Sequence, residues 1–220
     1  MNKIIISAVA LATTFLVASC GGADKPVQQE VQAAATASGE SVSMQIDPAS
    51  SSVNWHAKKV TGEHKGTIKI TAGELKTEQG KPVAGNFTID MGSIAVGDIQ
   101  DPVQNAKLTG HLKSDDFFSA EKHPQGKFEI VGVEAIDGAA TGSPNYKVKG
   151  NLTIKGITNP IEFPAVIQTN ENGLTASGDV ELDRTLWDIR FLSGKFFKGL
   201  GDKVIYDTFS VKFDIKANKG

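Results

Sequence analysis

The chain has 220 residues, of which 40% are hydrophobic and 22% are charged, a balance typical of one ordinary globular domain. Its formal net charge is -2, so no basic field exists to hold a polyanion, which argues against a nucleic-acid binder. The single cysteine cannot form an intrachain disulfide, and it leaves no cysteine cluster for zinc or an iron–sulfur centre.

Residues 1–19 have the pattern of a lipoprotein signal peptide. An apolar run over residues 4–17 is about 14 residues long, too short for a membrane-spanning helix, which needs ~20. Small residues then precede the only cysteine, and Val17-Ala18-Ser19-Cys20 resembles a bacterial lipobox, in which cleavage precedes a lipidated cysteine. The alternative is an ordinary secretory signal followed by a chance cysteine. We predict lipidation at Cys20 and a disordered tether over residues 20–42, because this segment has no aromatic residue and no apolar cluster.

The rest of the chain, residues 43–217, is predicted to fold as an all-β domain. Apolar and polar residues alternate with period two in about eight segments, the pattern of half-buried strands. Short turns join these segments, which indicates a sandwich or a barrel. Gly150 is interpreted as a bend, and Pro164 as a mark of an edge or a bulge. The last segment, with Phe209, Val211 and Phe213, shows the cleanest alternation.

One short helix is predicted over about residues 102–112. Asp101 can cap its N-terminus, Pro102 suits the first helical position, and Gln104 completes a pattern like a capping box. We expect this helix to plug one end of the sheet structure.

Motifs that carry chemistry are scarce. The sequence has no nucleophile elbow, no dinucleotide-binding glycine motif and no P-loop, so no catalytic residue is assigned. His56 and His64 could meet across neighbouring strands, and His111 could join them from the helix. A three-histidine metal site is therefore kept as an alternative, although surface or end-plug histidines are more common. No metal and no resident cofactor is expected.

The apolar phase of the strands predicts an interior wall. Phenylalanine is frequent, with 11 residues, and most lie on the apolar side of alternating strands. A closed eight-stranded barrel can hold either packed side chains or one small ligand, and periodicity does not decide between a filled core and a lined cavity. The residues predicted to line the interior are Trp55, Ile68, Phe87, Ile89, Phe128, Ile130, Phe209, Val211 and Phe213.

Four stretches over about residues 44–217 resemble the YceI-like family. Two are fairly specific, H-L-x-S-x-x-F-F and G-x-L-T-x-x-G-x-T, and all four occur in the family's order. Residues 191–201, FLSGKFFKGLG, look like a longer loop than is usual there. The stretches are residues 46–55 with 62–66, His111-Leu112-Lys113-Ser114 with residues 116–128, residues 150–160, and Asp183-Arg184 with the closing strand over residues 202–215.

The resemblance implies an extended, lipocalin-like antiparallel β-barrel of about eight strands that binds a polyisoprenoid or another amphiphilic lipid in a tunnel. It implies a bound lipid as ligand, no catalysis and export to the periplasm. With Cys20 lipidated, the protein would be a membrane-anchored lipoprotein of the cell envelope, facing the periplasm or the surface. The residue after Cys20 is Gly21, and not the aspartate that marks inner-membrane retention in some bacteria, which favours the outer membrane. A metal-binding or enzymatic barrel, a structural envelope protein with a filled core, and a homodimer stay open as alternatives.

Overall fold

The computed structural model describes residues 30–219, so the predicted signal peptide and Cys20 lie outside the described residues. Nine strands and one α-helix follow one another along the chain, with two short 3-10 turns before the last strand. The elements are β1 (Ser41–Ile46), β2 (Ser52–Lys59), β3 (Gly62–Glu78), β4 (Lys81–Val96), α1 (Pro102–Lys113), β5 (Gln125–Ala135), β6 (Tyr146–Ile154), β7 (Ile157–Thr169), β8 (Gly173–Asp183), the turns Arg184–Trp187 and Gly201–Lys203, and β9 (Ile205–Lys219).

The strands form one antiparallel sheet that closes on itself. Its order is β1-β3-β2-β9-β8-β7-β6-β5-β4, and the additional β3–β4 pairing joins the two sides into a barrel. Both β1 and β2 lie between β3 and β9, β1 at one end and β2 at the other, so together they occupy one strand position. The ring therefore has eight strand positions, and the predicted antiparallel barrel with one short helix is confirmed.

The two ends of the barrel differ. The helix end carries α1, the β6–β7 turn and the long segment between β8 and β9, and the opposite end carries the β3–β4 turn. The side chains that are almost completely buried lie at both ends: Met44, Thr77 and Leu174 at the opposite end, and Trp187, Ile189 and Ser193 at the helix end. Packing is therefore densest at the ends, and the middle of the barrel is less filled.

The β3–β4 hairpin is longer than the sequence pattern indicated. Alternation was visible over residues 66–71 and 86–91, whereas the strands continue to a two-residue turn at Gln79 and Gly80. Both turn residues have positive φ, 51° and 78°, as a tight hairpin of this kind requires. Most of the intervening residues are small or polar, although Leu75 is buried in the core, so the backbone pairing extends where the hydrophobic alternation does not.

The neighbouring strands β7 and β8 separate before they reach the helix end. Pairing between β7 and β8 covers only Ala165–Thr169 of β7, so Pro164 lies in the half of β7 whose sheet partner is β6 alone. This agrees with the interpretation of Pro164 as an edge position. Trp187 lies next to this gap with none of its surface exposed, and its indole N–H donates to the carbonyl of Leu152, 3.0 Å away.

Residues 30–40, the second half of the predicted tether, lie against the outside of the barrel. Pairing between β4 and β5 ends at Glu129, and the free carbonyl of Ile130 accepts a hydrogen bond from the Ala35 N–H at 2.9 Å. The outward side chain of Asn151 donates to the carbonyl of Gln32 at 2.7 Å. Residues 30–40 have no regular secondary structure, but these bonds hold them on the wall. Residues 20–29 lie outside the described part, so their disorder stays a prediction.

The helix begins as expected. The Asp101 carboxylate accepts a hydrogen bond from the Gln104 N–H at 2.8 Å, and Pro102 is the first helical residue. Its C-terminal end, with Leu112, packs on the core at the helix end of the barrel. No helix among residues 30–219 combines the length and the apolar character needed to cross a membrane.

Candidate functional site

A cavity of about 240 Å³ runs through the barrel, and its surface is almost entirely apolar. Its lining extends from Ala57 and Ile205 near the helix end to Leu75 and Leu174 near the opposite end. Along β9 alone, the lining from Ile205 to Ile215 spans about 33 Å. The volume is below the ~300–1,000 Å³ of drug-sized ligand sites. A volume this small spread over such a length makes the cavity long and narrow rather than round.

The structure places all nine residues predicted to line the interior on the wall of this cavity. Trp55 and Val211 face each other on β2 and β9, and Phe87 and Phe128 do so on β4 and β5. That these side chains contact a ligand stays a prediction. The nine are Trp55, Ile68, Phe87, Ile89, Phe128, Ile130, Phe209, Val211 and Phe213.

Four phenylalanine rings form a continuous band around the cavity. The ring centroids of Phe87 and Phe128 are 5.9 Å apart, those of Phe128 and Phe163 are 5.7 Å apart, and those of Phe163 and Phe213 are 5.4 Å apart. These distances are in the favourable range for aromatic pairs. The four rings come from four strands, so the band joins opposite sides of the wall.

Two inward-facing glycines make room for this band. A Cβ atom at Gly150 would lie 2.3 Å from the Phe128 ring, and a Cβ atom at Gly178 would lie 2.8 Å from the Phe213 ring. Each glycine lies on the strand between two phenylalanine-bearing strands, so a ring can lean across it. Gly150 therefore serves as the seat of an aromatic ring, and the structure gives it a role beyond the predicted bend.

Sequence reasoning missed much of the wall. The missed positions are the inward residues of β6, β7 and β8 and the aromatic pair after the helix. The alternation that found the nine predicted residues is present in β6 to β8 too, and it could have found most of them. The missed lining residues include Leu112, Phe117, Phe118, Val148, Leu152, Ile154, Ile161, Phe163, Ala176, Val180 and Leu182.

Arg184 is the charged residue on the cavity lining, and its donors are already engaged. The guanidinium donates to the backbone carbonyls of Tyr206, Ile189 and Ile205 at 3.0–3.1 Å. It also makes an ion-pair contact of 3.2 Å with Asp207. Burial lowers the pKa of Arg184, and the charges of Asp207 and Asp183 oppose that effect. An arginine stays protonated under such conditions, so Arg184 fastens the chain after β8 to β9.

The wall contains a second polar group, the Trp55 indole, and unlike Arg184 this group lacks a partner. The Trp55 indole N–H is buried and has no hydrogen-bond acceptor among the described residues. Leaving such a donor unsatisfied costs about 1–3 kcal/mol. The Trp55 N–H is therefore an unsatisfied polar group enclosed within the barrel wall.

The histidines of the alternative metal site do not come together. His56 is paired across the strands with Lys65 and His64 with Ala57, so the two histidines lie on opposite faces of the β2–β3 pair. Each of the three histidines contacts a carboxylate of its own, His56 with Glu63 at 3.1 Å, His64 with Asp98 at 2.9 Å and His111 with Asp116 at 3.1 Å. Within residues 30–219 no group of three potential metal ligands forms.

A closed antiparallel barrel with a long apolar interior defines the architecture that lipocalins share, in which the barrel encloses a ligand cavity. The model of the YceI-like domain matches residues 44–217. The chain belongs to the YceI-like family.

Curated relatives match part of the chain. A UPF0312 protein of Azotobacter vinelandii is 28% identical over 100 residues, which is 46% of this chain and 47% of the relative. A UPF0312 protein of Pseudomonas putida is 29% identical over the same length and with the same shares. The aligned region thus spans about half the length of the curated relatives.

Two solved structures share the fold. BcnA of Burkholderia cenocepacia aligns with a TM-score of 0.60 at 24% identity, covering 78% of this chain and 98% of that one. A polyisoprenoid binding domain from Saccharophagus degradans, implicated in plant cell wall breakdown, aligns with a TM-score of 0.56 at 14% identity, covering 81% and 99%. At these identities the likeness shows the barrel architecture.

Proposed function

We propose that this protein holds the apolar chain of an amphiphilic lipid, such as a polyisoprenoid, in the barrel cavity without chemically altering it. The observation that carries the proposal is the long, narrow and almost wholly apolar cavity. The similar fold of a domain named for polyisoprenoid binding supports the choice of ligand class. The protein would act as a carrier or a reservoir.

The cavity suits a flexible hydrocarbon chain for physical reasons. Each buried CH₂ group contributes about 0.8 kcal/mol, so a chain of ten such groups offers a large driving force without any polar contact. Because both barrel ends are densely packed, we expect a bound lipid to leave slowly.

Filling part of the cavity should weaken lipid binding strongly and leave the fold intact. Ala176 faces inward on β8, lines the cavity and keeps accessible surface there. In Ala176→Phe the ring would displace part of the lipid chain, and loss of only two CH₂ contacts costs about 1.6 kcal/mol, more than tenfold in affinity. We expect at least a tenfold loss of lipid binding, measured by lipid titration and by native mass spectrometry of gently purified protein.

The neighbouring residue Thr175 provides a matched control. It lies on the same strand, faces outward and is exposed, so Thr175→Phe adds a similar ring outside the barrel. This variant should bind lipid as the parent protein does. In a filled core, Ala176→Phe would instead cost about 1–3 kcal/mol of stability through overpacking. That stability loss, with no lipid in the parent protein by mass spectrometry, would favour the structural protein with a filled core.

We further propose that lipidation of Cys20 anchors the protein in the cell envelope, with the outer membrane as the favoured site. The proposal is supported by Val17-Ala18-Ser19-Cys20 and by Gly21. Several acyl chains give stable membrane attachment where a single chain is marginal.

Cys20→Ala should move the protein from the membrane fraction to the soluble fraction of the cell envelope. The barrel should keep its stability, because residues 41–219 supply all nine strands. The check is fractionation in high salt together with intact-mass analysis of the parent protein. A parent protein whose intact mass shows no acyl chains on Cys20 would contradict acyl anchoring.

A further inference from the structure

The segment between β8 and β9 exposes large apolar side chains at the helix end of the barrel. Phe196 and Phe197 are 41% and 49% exposed, and the adjoining Val60 and Tyr206 are 46% and 47% exposed. Val60 joins this surface because its N–H donates to the Val204 carbonyl at 3.1 Å. We call Val60, Phe196, Phe197 and Tyr206 the apolar tip. Large exposed apolar side chains grouped at one end of a protein mark interaction sites.

Basic side chains surround the apolar tip. Residues 184–206 hold five basic and two acidic residues, a net charge of +3 within a chain of net charge -2. Arg184 is buried, whereas Arg190, Lys195, Lys198 and Lys203 are exposed. The Arg190 guanidinium lies 4.7 Å from the centre of the Phe196 ring. The charge of this segment is thus opposite in sign to that of the chain as a whole.

The loop is held in the conformation that presents the two rings. The N–H groups of Phe196 and Phe197 both donate to the carbonyl of Ser193, at 3.2 and 3.0 Å. Ser193 is completely buried, and the Ile205 N–H donates to the Leu192 carbonyl at 3.0 Å. Phe196 and Phe197 therefore point outward from a fixed turn and do not line the cavity.

The N-terminal chain approaches the same end. From Ser41 at the opposite end, residues 40–32 pass along the wall to Asn151, three residues before the end of β6. Asn151 therefore lies about 10 Å from the helix end. Glu30 is ten residues along the chain from Cys20, which limits their span to roughly 35 Å. If Cys20 is the membrane anchor, the helix end can reach the membrane.

We propose that the apolar tip and its basic rim dock the helix end of the barrel onto an anionic membrane surface. Aromatic side chains favour the membrane–water interface, and lysine and arginine are attracted to anionic headgroups. Tyr206 belongs to both the tip and the cavity lining, so docking brings the membrane next to the lipid cavity. The docking proposal depends only on the segment between β8 and β9. A role of docking in lipid loading depends on the proposed function as well.

Vesicle binding without the acyl anchor tests this docking. Protein carrying Cys20→Ser is sedimented with vesicles of phosphatidylglycerol and phosphatidylcholine, and with vesicles of phosphatidylcholine alone. We expect binding to the anionic vesicles, lowered about tenfold or more by Phe196→Ser with Phe197→Ser, because two exposed aromatic contacts are lost. Lys198→Glu with Lys203→Glu should remove the preference for anionic vesicles. This charge variant keeps both rings and provides a second, independent test.

A matched control lies at the other end of the barrel. Val42 and Ile136 are 41% and 38% exposed there, and Val42→Ser with Ile136→Ser should leave vesicle binding unchanged. Equal loss in this control and in the phenylalanine variant, or no binding of the Cys20→Ser protein to anionic vesicles, would overturn the docking proposal. Native mass spectrometry separates this outcome from failure of the proposed function, because the phenylalanine variant keeps an intact cavity and should still carry lipid.

Discussion

Phe213→Asp is expected to abolish lipid binding and to lower the free energy of unfolding by more than ~3 kcal/mol at pH 7. The ring lies on the cavity wall, packs edge-on against Phe163 and leans over Gly178. Truncating a buried phenylalanine costs about 3–5 kcal/mol, less where the site is partly empty, and a carboxylate in an apolar wall adds a desolvation penalty. Urea unfolding and native mass spectrometry of the same variant measure both effects.

Phe213→Asn separates the charge from the lost ring, since Asn and Asp have nearly the same size. Burial would raise the pKa of the new carboxyl above its ordinary value of about 3.9. When the pKa of a carboxyl is higher in the folded than in the unfolded protein, the folded state is most stable at a pH below the unfolded value. That stability is lost as pH rises through the pKa of the folded state. The stability gap between the Asp and Asn variants should therefore widen from pH 4 to pH 8. A gap that stays constant over this range would mean that position 213 is well hydrated.

The sequence predicted the inward face of several strands because the side-chain period of a strand is two. In β9 the alternation is unbroken from Phe209 to Ile215, and the structure places Phe209, Val211 and Phe213 on the cavity side. Alternation does not say which strands are neighbours. The sequence pattern was therefore equally consistent with a sandwich and a barrel, and only the family resemblance favoured the barrel.

The arrangement inside the barrel depends on register, which a single sequence does not show. Gly150 and Gly178 accommodate rings that belong to other strands, Phe128 and Phe213. Their spacing along the chain carries no sign of these contacts. The position of Trp187 beside the gap between β7 and β8 is a further case, because the gap arises where strand pairing stops.

The path of residues 30–40 shows a limit of composition-based reasoning. The segment contains small and polar residues and no aromatic residue, which is typical of disorder. It nevertheless bonds to the wall, because β5 leaves a carbonyl free where its pairing with β4 ends. A free strand edge in the folded domain can order a segment that has no core of its own.

Arg184→Met is expected to lower the free energy of unfolding by about 3–5 kcal/mol, the usual cost of removing one partner of a buried ion pair. The guanidinium satisfies the carbonyls of Ile189, Ile205 and Tyr206 and contacts Asp207. Methionine fills a similar volume but donates no hydrogen bond, so three carbonyls and one carboxylate lose their partner. Urea unfolding of the purified variant measures the loss.

Arg190→Met makes the same chemical change on the same segment at an exposed position. Arg190 pairs with Asp188 at 2.6 Å, and both side chains are about half exposed, so the expected loss is only ~0–1 kcal/mol. Since Arg184 ties both ends of the segment over residues 189–206, hydrogen exchange of its backbone amides should accelerate in Arg184→Met and stay close to the parent rate in Arg190→Met. Similar stability and exchange in the two variants would show that the buried Arg184 guanidinium does not hold this loop. A faster exchange confined to residues 189–206 in Arg184→Met would instead show that one buried side chain fixes the loop that closes the helix end of the barrel.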